Sequence, residues 1–169
     1  IIVYCTDFVI NVNMSFAQLD NTVFVDMVLE LLAETGFPAE HLCLEITERC
    51  RLLDMTLLKN IFVNLQARGI KFALDDFGTG FSSMGIVKEL TFDTIKIDRS
   101  FVQNIEEDRR ERELVGFFTG VADTFGAKVC VEGIETCGMK TILQQYPVTS
   151  FQGYYYSKPI PLEQFIAAL

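Results

Sequence analysis

The sequence predicts an α/β fold built on a parallel sheet, and three features of it carry that prediction. Short apolar segments with a period of two alternate six times with longer segments of period 3.6. Helix caps and glycine stops mark the boundaries between them. Polar residues recur at alternate positions near the carboxyl ends of the short segments, whereas a sheet covered by helices is ordinarily apolar on both faces.

Phe8 to Asn13 reads as the first strand, and Asn21 and Thr22 cap a helix over Val23 to Thr35 that Gly36 and Pro38 end. Leu42 to Ile46 is the second strand. Leu57, Leu58, Ile61, Phe62 and Leu65 form one helical stripe that stops at Gly69, and Ile70 to Asp75 is strand again. A short helix follows Ser82 and Ser83, then a fourth strand over Thr94 to Asp98. The helix from Asp108 to Phe125 turns Leu114, Val115, Phe118, Val121 and Phe125 inward and ends at Gly126. A fifth strand over Ala127 to Val131, a helix over Thr136 to Gln145, a short strand near Phe151 and a helix from Leu162 complete the pattern. Such units fit an open doubly wound sheet or a closed barrel. An eight-unit barrel takes about 250 residues, so six units need about 190, close to the length of this chain.

At 169 residues and 50% hydrophobic, the chain can bury one substantial core, so a single domain spanning 1–169 is expected. A net charge of −9 disfavours DNA or an anionic membrane surface as a partner, and phosphates would need cations to bind. The apolar stretch Val23 to Leu32 is broken by Asp26 and Glu30, which speaks against membrane insertion. Five cysteines without a C-x-x-C pair indicate a reducing, cytoplasmic setting, and a lone histidine, His41, argues against zinc. Any metal here would be held by oxygen. The apolar opening has neither the basic flank nor the cleavage pattern of a signal peptide, so the chain reads as cut inside a domain.

Strand parity carries the functional clue. Asn11 and Asn13 alternate with Ile10 and Val12, Glu45 lies between Leu44 and Ile46, and Asp75 follows Phe72 and Leu74 by the same rule. Lys96 and Asp98 alternate with Ile95 and Ile97, and Cys130 and Glu132 with Val129 and Val131. The apolar set is expected to face helices and the polar set to line an interior at the carboxyl ends, where parallel folds build active sites. Unpaired buried carboxylates cost several kcal/mol or more each, which points to bound cations.

The motifs at residues 11–15 (Asn-Val-Asn-Met-Ser), 44–48 (Leu-Glu-Ile-Thr-Glu), 75–83 (Asp-Asp-Phe-Gly-Thr-Gly-Phe-Ser-Ser), 95–102 (Ile-Lys-Ile-Asp-Arg-Ser-Phe-Val), 132–136 (Glu-Gly-Ile-Glu-Thr) and 152–154 (Gln-Gly-Tyr) closely resemble the ordered motifs of EAL domains. The resemblance implies a TIM-like barrel with about six of its eight strand-helix units present. It also implies hydrolysis of cyclic di-GMP to linear pGpG with two Mg2+ or Mn2+ ions, in bacterial second-messenger signalling. Asn13, Glu45, Asp75 and Asp76 then resemble metal ligands, with Asp75 shared between the ions. Lys96 resembles the lysine that holds the attacking water, and Glu132 the glutamate of the metal and general-base cluster. Gln152 matches a glutamine supporting that network, and Glu48 a residue anchoring the loop after Asp76. Asp98 and Glu135 fall one layer further out.

Taken without the resemblance, Asn13 serves equally as a loop cap, Lys96 and Asp98 as an internal salt bridge, and Gly78 and Gly80 as a tight turn. Asp-Phe-Gly also occurs in kinases, but no glycine-rich or His-Arg-Asp loop accompanies it. Cys43 and Cys130 read as small core residues. The Glu-Ala-Leu segment that names the family is absent, and with it go a ligand glutamate and a phosphate-gripping arginine. The alternative function is a non-catalytic cyclic di-GMP receptor or an EAL-derived interaction module. Open strand edges at both ends predict either a homodimer that pairs or swaps strands, or a piece of a longer protein with a sensory or diguanylate cyclase domain.

Overall fold

The computed structural model describes residues 8–19, 23–47, 49–50, 54–80 and 83–168. Six parallel strands run in sequential order: β1 (Ile10–Asn13), β2 (Leu42–Thr47), β3 (Lys71–Phe77), β4 (Thr94–Ile97), β5 (Lys128–Val131) and β6 (Ser150–Phe151). This order decides between the two architectures, because a doubly wound sheet reverses direction at a switch point and a barrel does not. The sheet is an arc of a TIM-like barrel, with β1 and β6 at its edges.

Among the described residues seven helices connect and cover it: α1 (Phe16–Leu19), α2 (Phe24–Thr35), α3 (Met55–Gln66), α4 (Ser83–Glu89), α5 (Arg109–Thr124), α6 (Cys137–Leu143) and α7 (Leu162–Ala168). Glycine stops and side-chain caps explain their bounds. Gly36 takes a left-handed φ of 65° after α2, and Asp54 caps α3 by accepting from Thr56 N and Leu57 N. Asp108 caps α5 through Arg110 N, and Thr136 caps α6 through Met139 N. The proposed caps Asn21 and Thr22 lie outside the described residues, as does Ser82.

Strand parity holds across the centre of the sheet. Leu44, Ile46, Phe72, Leu74, Ile95, Ile97, Val129 and Val131 are all buried. Helix α3 adds Leu58, Ile61, Phe62 and Leu65 to the same core, with Phe62 stacked on Phe72 at a centroid distance of 3.8 Å. Burial of this set supplies most of the folding drive, at about 25 cal/mol per Å2 of apolar surface. Cys43 and Cys130 are buried as expected, and burial, helped by nearby Glu45 and Asp93, pushes the Cys43 thiol up to about 12.

Two expectations of burial are corrected. Ile10 and Val12 are exposed, as is all of β1, which among the described residues has a strand on one side only. Leu114 of α5 and Phe125, at its C-cap, are also exposed. Its buried face runs through Val115, Phe118, Thr119, Val121 and Ala122, a narrower stripe that leaves residues 114 and 125 on its flanks. Among the described residues no helix is long and apolar enough to cross a membrane.

Candidate metal centre

Lys96 is the hub of the carboxyl end of the sheet. Its side chain on β4 is only 5% exposed, and Nζ lies 2.7 Å from Glu45 Oε2, 2.7 Å from Glu132 Oε1 and 3.0 Å from Asp75 Oδ1. These partners come from β2, from the residue after β5 and from β3. Register explains the convergence: Glu45 pairs with Ala73, Thr47 with Asp75, and Lys96 with Cys130, while Glu132 N extends the ladder by donating to Ile97 O at 3.1 Å. All four side chains therefore project to the inner face.

Asp76 joins them through a break in β3. The β3–β4 register shifts between Leu74 and Phe77, and Asp76 takes a φ of 54°, a left-handed conformation that aspartate tolerates better than most residues. Strict alternation would turn Asp76 away from Asp75. The bulge instead brings one oxygen each of Asp75, Asp76 and Glu132 within 4.8 Å of one another. Thr79 fixes the turn by donating to Asp76 O from its N (3.2 Å) and Oγ1 (2.9 Å).

The electrostatics are those of too many carboxylates around one ammonium. Burial raises the pKa of Glu132 against the pull of Lys96, and Asp75 and Glu45 raise it further. Burial also raises Asp76, with Asp75 and Asp98 adding to it and Lys96 and Arg49 opposing. Burial alone would lower Lys96, but its hydrogen bonds to Glu132 and Glu45 and the charges of Glu132 and Asp75 outweigh that and raise it. Asp75 Oδ1 is within ion-pair distance of Lys96, yet no donor is directed at it. It is the one buried side-chain oxygen among the described residues with no hydrogen bond. An orphaned carboxylate oxygen beside two further carboxylates, with no imidazole or thiolate in the set, fits a hard divalent cation.

The remaining predicted residues are placed less centrally. Asn13 pairs with Glu45 in the β1–β2 register and so stands beside the cluster on the same face, exposed. The Asp98 carboxylate accepts from Ser100 N (3.0 Å) and Ser100 Oγ (2.5 Å), capping the turn Arg99–Phe101. The alternative Lys96–Asp98 salt bridge is therefore corrected: the ion partners of Lys96 are Glu45, Asp75 and Glu132. Gln152 is held by its backbone, N donating to Val131 O at 2.9 Å and O accepting from Ile134 N at 3.0 Å. Glu135 is exposed and lines a separate cleft of about 230 Å3 with Arg99, Gln103, Gly133 and Met139. Glu48 lies outside the described residues.

Two features went unread in the sequence. Arg49 lines a cleft of about 360 Å3 with Thr47, Asp76 and Thr79, next to the carboxylates. A cation one residue past the Thr47-Glu48 pair was the available signal. Gly133, with a φ of 74°, packs so closely on Arg99 that a Cβ would overlap that side chain, which sets the path of the chain after Glu132. A cavity of about 510 Å3 lies on the inner face beneath Lys96 and is lined by Lys71, Asp93 and Lys128 among others. Its carboxylate, Asp93, already accepts from Phe72 N at 2.9 Å, so the chemistry belongs to the other end.

The model of the EAL domain family matches residues 6–159. The bifunctional diguanylate cyclase/cyclic di-GMP phosphodiesterase MucR of Pseudomonas aeruginosa is 32% identical over 163 residues, 96% of this chain and 24% of MucR. The chain spans about a quarter of the length of the curated relatives it matches. The structure of the MucR phosphodiesterase in complex with c-di-GMP superposes with a TM-score of 0.87 over 96% of this chain and 66% of that one, at 32% identity. The EAL domain of Mycobacterium smegmatis DcpA gives 0.91 over 95% of this chain and 72% of that one, at 34% identity. BlrP1 of Klebsiella pneumoniae, known as calcium and manganese complexes with cy-diGMP, gives 0.81 over 89% of this chain and 39% of that one, at 25% identity.

Proposed function

Since this chain belongs to the EAL domain family, we propose that it is the greater part of a phosphodiesterase domain that hydrolyses cyclic di-GMP to linear pGpG. The observation that carries the reading is the Lys96 hub, one buried ammonium on three carboxylates with Asp76 added by the bulge. MucR, a relative across nearly the whole chain, bears that activity in its name.

Asp75, Asp76, Glu132 and Glu45, with Asn13 beside Glu45, would hold two Mg2+ or Mn2+ ions. Such ions, when bound, supply Lewis-acid activation of a water and neutralise charge developing on the phosphate. The rest falls to the side chains. Lys96, kept cationic, donates to the oxygen that attacks phosphorus. Glu132, with its pKa raised by burial, accepts the proton of that water at a pH where an ordinary carboxylate is a poorer base. The new P–O bond replaces the bond to a ribose 3′ oxygen, which leaves with a proton as the 3′ hydroxyl of pGpG. Gln152 supports this network, Glu48 anchors the loop after Asp76, and Asp98 and Glu135 act from further out. A sensory or diguanylate cyclase domain is expected in the full-length protein, as in the bifunctional MucR.

The test is a nucleotide assay on the full-length protein. Formation of pGpG with Mg2+ or Mn2+, suppressed by chelator and by the looser coordination of Ca2+, is expected. Tight binding of cyclic di-GMP without turnover in either ion would overturn the reading in favour of a receptor.

A further inference from the structure

We propose that Glu106, outside the ion cluster, is a positioning residue for Glu132; the inference rests on the phosphodiesterase reading. Glu106 lies in the connection between β4, which carries Lys96, and α5. That connection is fastened to the helix: Arg112 Nε donates to Ile105 O at 2.7 Å, the same guanidinium donates to Glu106 O, and Asn104 N donates to Glu111 Oε2 at 2.8 Å. Ile105 is fully buried beneath it.

From this base the Glu106 carboxylate crosses to the next connection, where Thr136 Oγ1 donates to Glu106 Oε1 at 2.5 Å. The same hydroxyl accepts from Met139 N at 3.0 Å. Thr136 already caps α6, so the helix has no need of Glu106 as its cap. Even so, the carboxylate lies so close to the first turn of α6 that a Cβ on Gly138 would overlap it. An alanine at this position would have to turn the exposed Glu106 carboxylate aside, away from Thr136.

Thr136 is four residues past Glu132, and both ends of that short segment are tied. Glu132 N is bonded to Ile97 O, and buried Ile134 donates from N to Gln152 O and accepts at O from Tyr155 N at 2.9 Å. The Glu106–Thr136 bond closes the segment on the β4 side. The connection that follows the Lys96 strand, anchored on α5, thereby holds the segment that follows Glu132, which supports their 2.7 Å pair. Glu106 remains exposed, so its contribution is to geometry more than to stability.

Glu106→Ala, Glu106→Gln, Gly138→Ala and the double variant Glu106→Ala/Gly138→Ala of the full-length protein test this. For Glu106→Ala, kcat for cyclic di-GMP with Mn2+ is expected to fall about tenfold, the scale on which misplacing a supporting group acts, with KM and the melting temperature near wild type. Glu106→Gln, whose amide oxygen still accepts from Thr136, should restore most of it. Gly138→Ala, whose methyl displaces the Glu106 carboxylate, should lower kcat in the wild type as Glu106→Ala does and have no further effect in the Glu106→Ala background. A wild type that makes no pGpG overturns the phosphodiesterase reading alone, and the inference is then read from Mn2+ affinity, expected to weaken in Glu106→Ala and not in Glu106→Gln. Unchanged kcat in Glu106→Ala of an active protein, or an activity loss that merely tracks melting, overturns the inference alone.

Discussion

Glu45 and Lys96 meet across a strand that belongs to neither of them. Oε2 and Nζ are 2.7 Å apart with β3 between, and the inward residue of β3 level with Glu45 is Ala73, buried and bearing only a methyl group. The ion pair depends on that small side chain. Ala73→Leu should therefore separate the pair as well as overpack the interior, at about 1–3 kcal/mol in urea denaturation. Unchanged stability and activity would show that the space over β3 is not what admits the pair.

Lys96→Met keeps the volume and removes the charge, leaving Glu45, Asp75 and Glu132 facing one another. Removing one side of a buried ionic cluster costs about 3–5 kcal/mol, and the metal-free protein should lose stability on that scale. Added Mn2+ should recover much of it, measured as a larger metal-induced rise in melting temperature than in the wild type.

Asp75→Asn removes the charge on the orphaned oxygen. Several kcal/mol of transition-state stabilisation, or about a thousandfold in kcat, should go with it. Because one of the crowded carboxylates is neutralised, the metal-free variant should melt no lower than the wild type. Near-normal pGpG production would show that the role belongs to another residue.

Glu132 sets a pH dependence of the metal-free fold. Its folded-state pKa is raised above the ordinary 4.5, so its contribution is fully present below 4.5 and lost as pH rises through the raised value. The melting temperature of the wild type should therefore fall relative to Glu132→Gln above pH 4.5. Mn2+, which takes the place of the proton, should abolish the difference.

Asp54 has the opposite sign. Backbone donors Leu57 and Thr56 lower its pKa from 3.8, so its capping of α3 stabilises the fold above 3.8 and fades as pH falls through the lowered value. Asp54→Ala should melt below the wild type at neutral pH and approach it in acid.

Much of this was legible because a strand has a period of two. Glu45, Asp75, Lys96 and Glu132 fall on the inner face by counting alone, and the helix stops at Gly36 and Gly126 need no tertiary knowledge. What counting cannot supply is partnership. Nothing in the segment Thr94–Asp98 tells that Lys96 prefers Glu45, 51 residues away, to Asp98 two positions on, because the choice is made by strand register. Asp98 turns instead to Ser100, a local bond that short polar side chains form readily at turns. The exposure of Leu114 and Phe125 has a related reason: periodicity gives the direction of the α5 stripe, but the width of its contact with the sheet is a tertiary quantity. The bulge at Asp76 inverts alternation at the one place where the chemistry requires it.

That bulge has a mechanical counterpart. Immediately after Asp76, Phe77 is buried and seats its ring edge-on against Phe118 of α5 at 5.4 Å, and Phe118 in turn meets Phe101 at 5.0 Å. Three interlocked rings thus act as an anvil behind the Asp75-Asp76 pair. Gly78, at a φ of 96°, passes so close to Phe118 and Phe101 that a Cβ there would overlap both rings. The turn that presents the two carboxylates is thus seated from behind by a greasy surface, and the placement of charge at the mouth of the sheet is decided by rings that carry none.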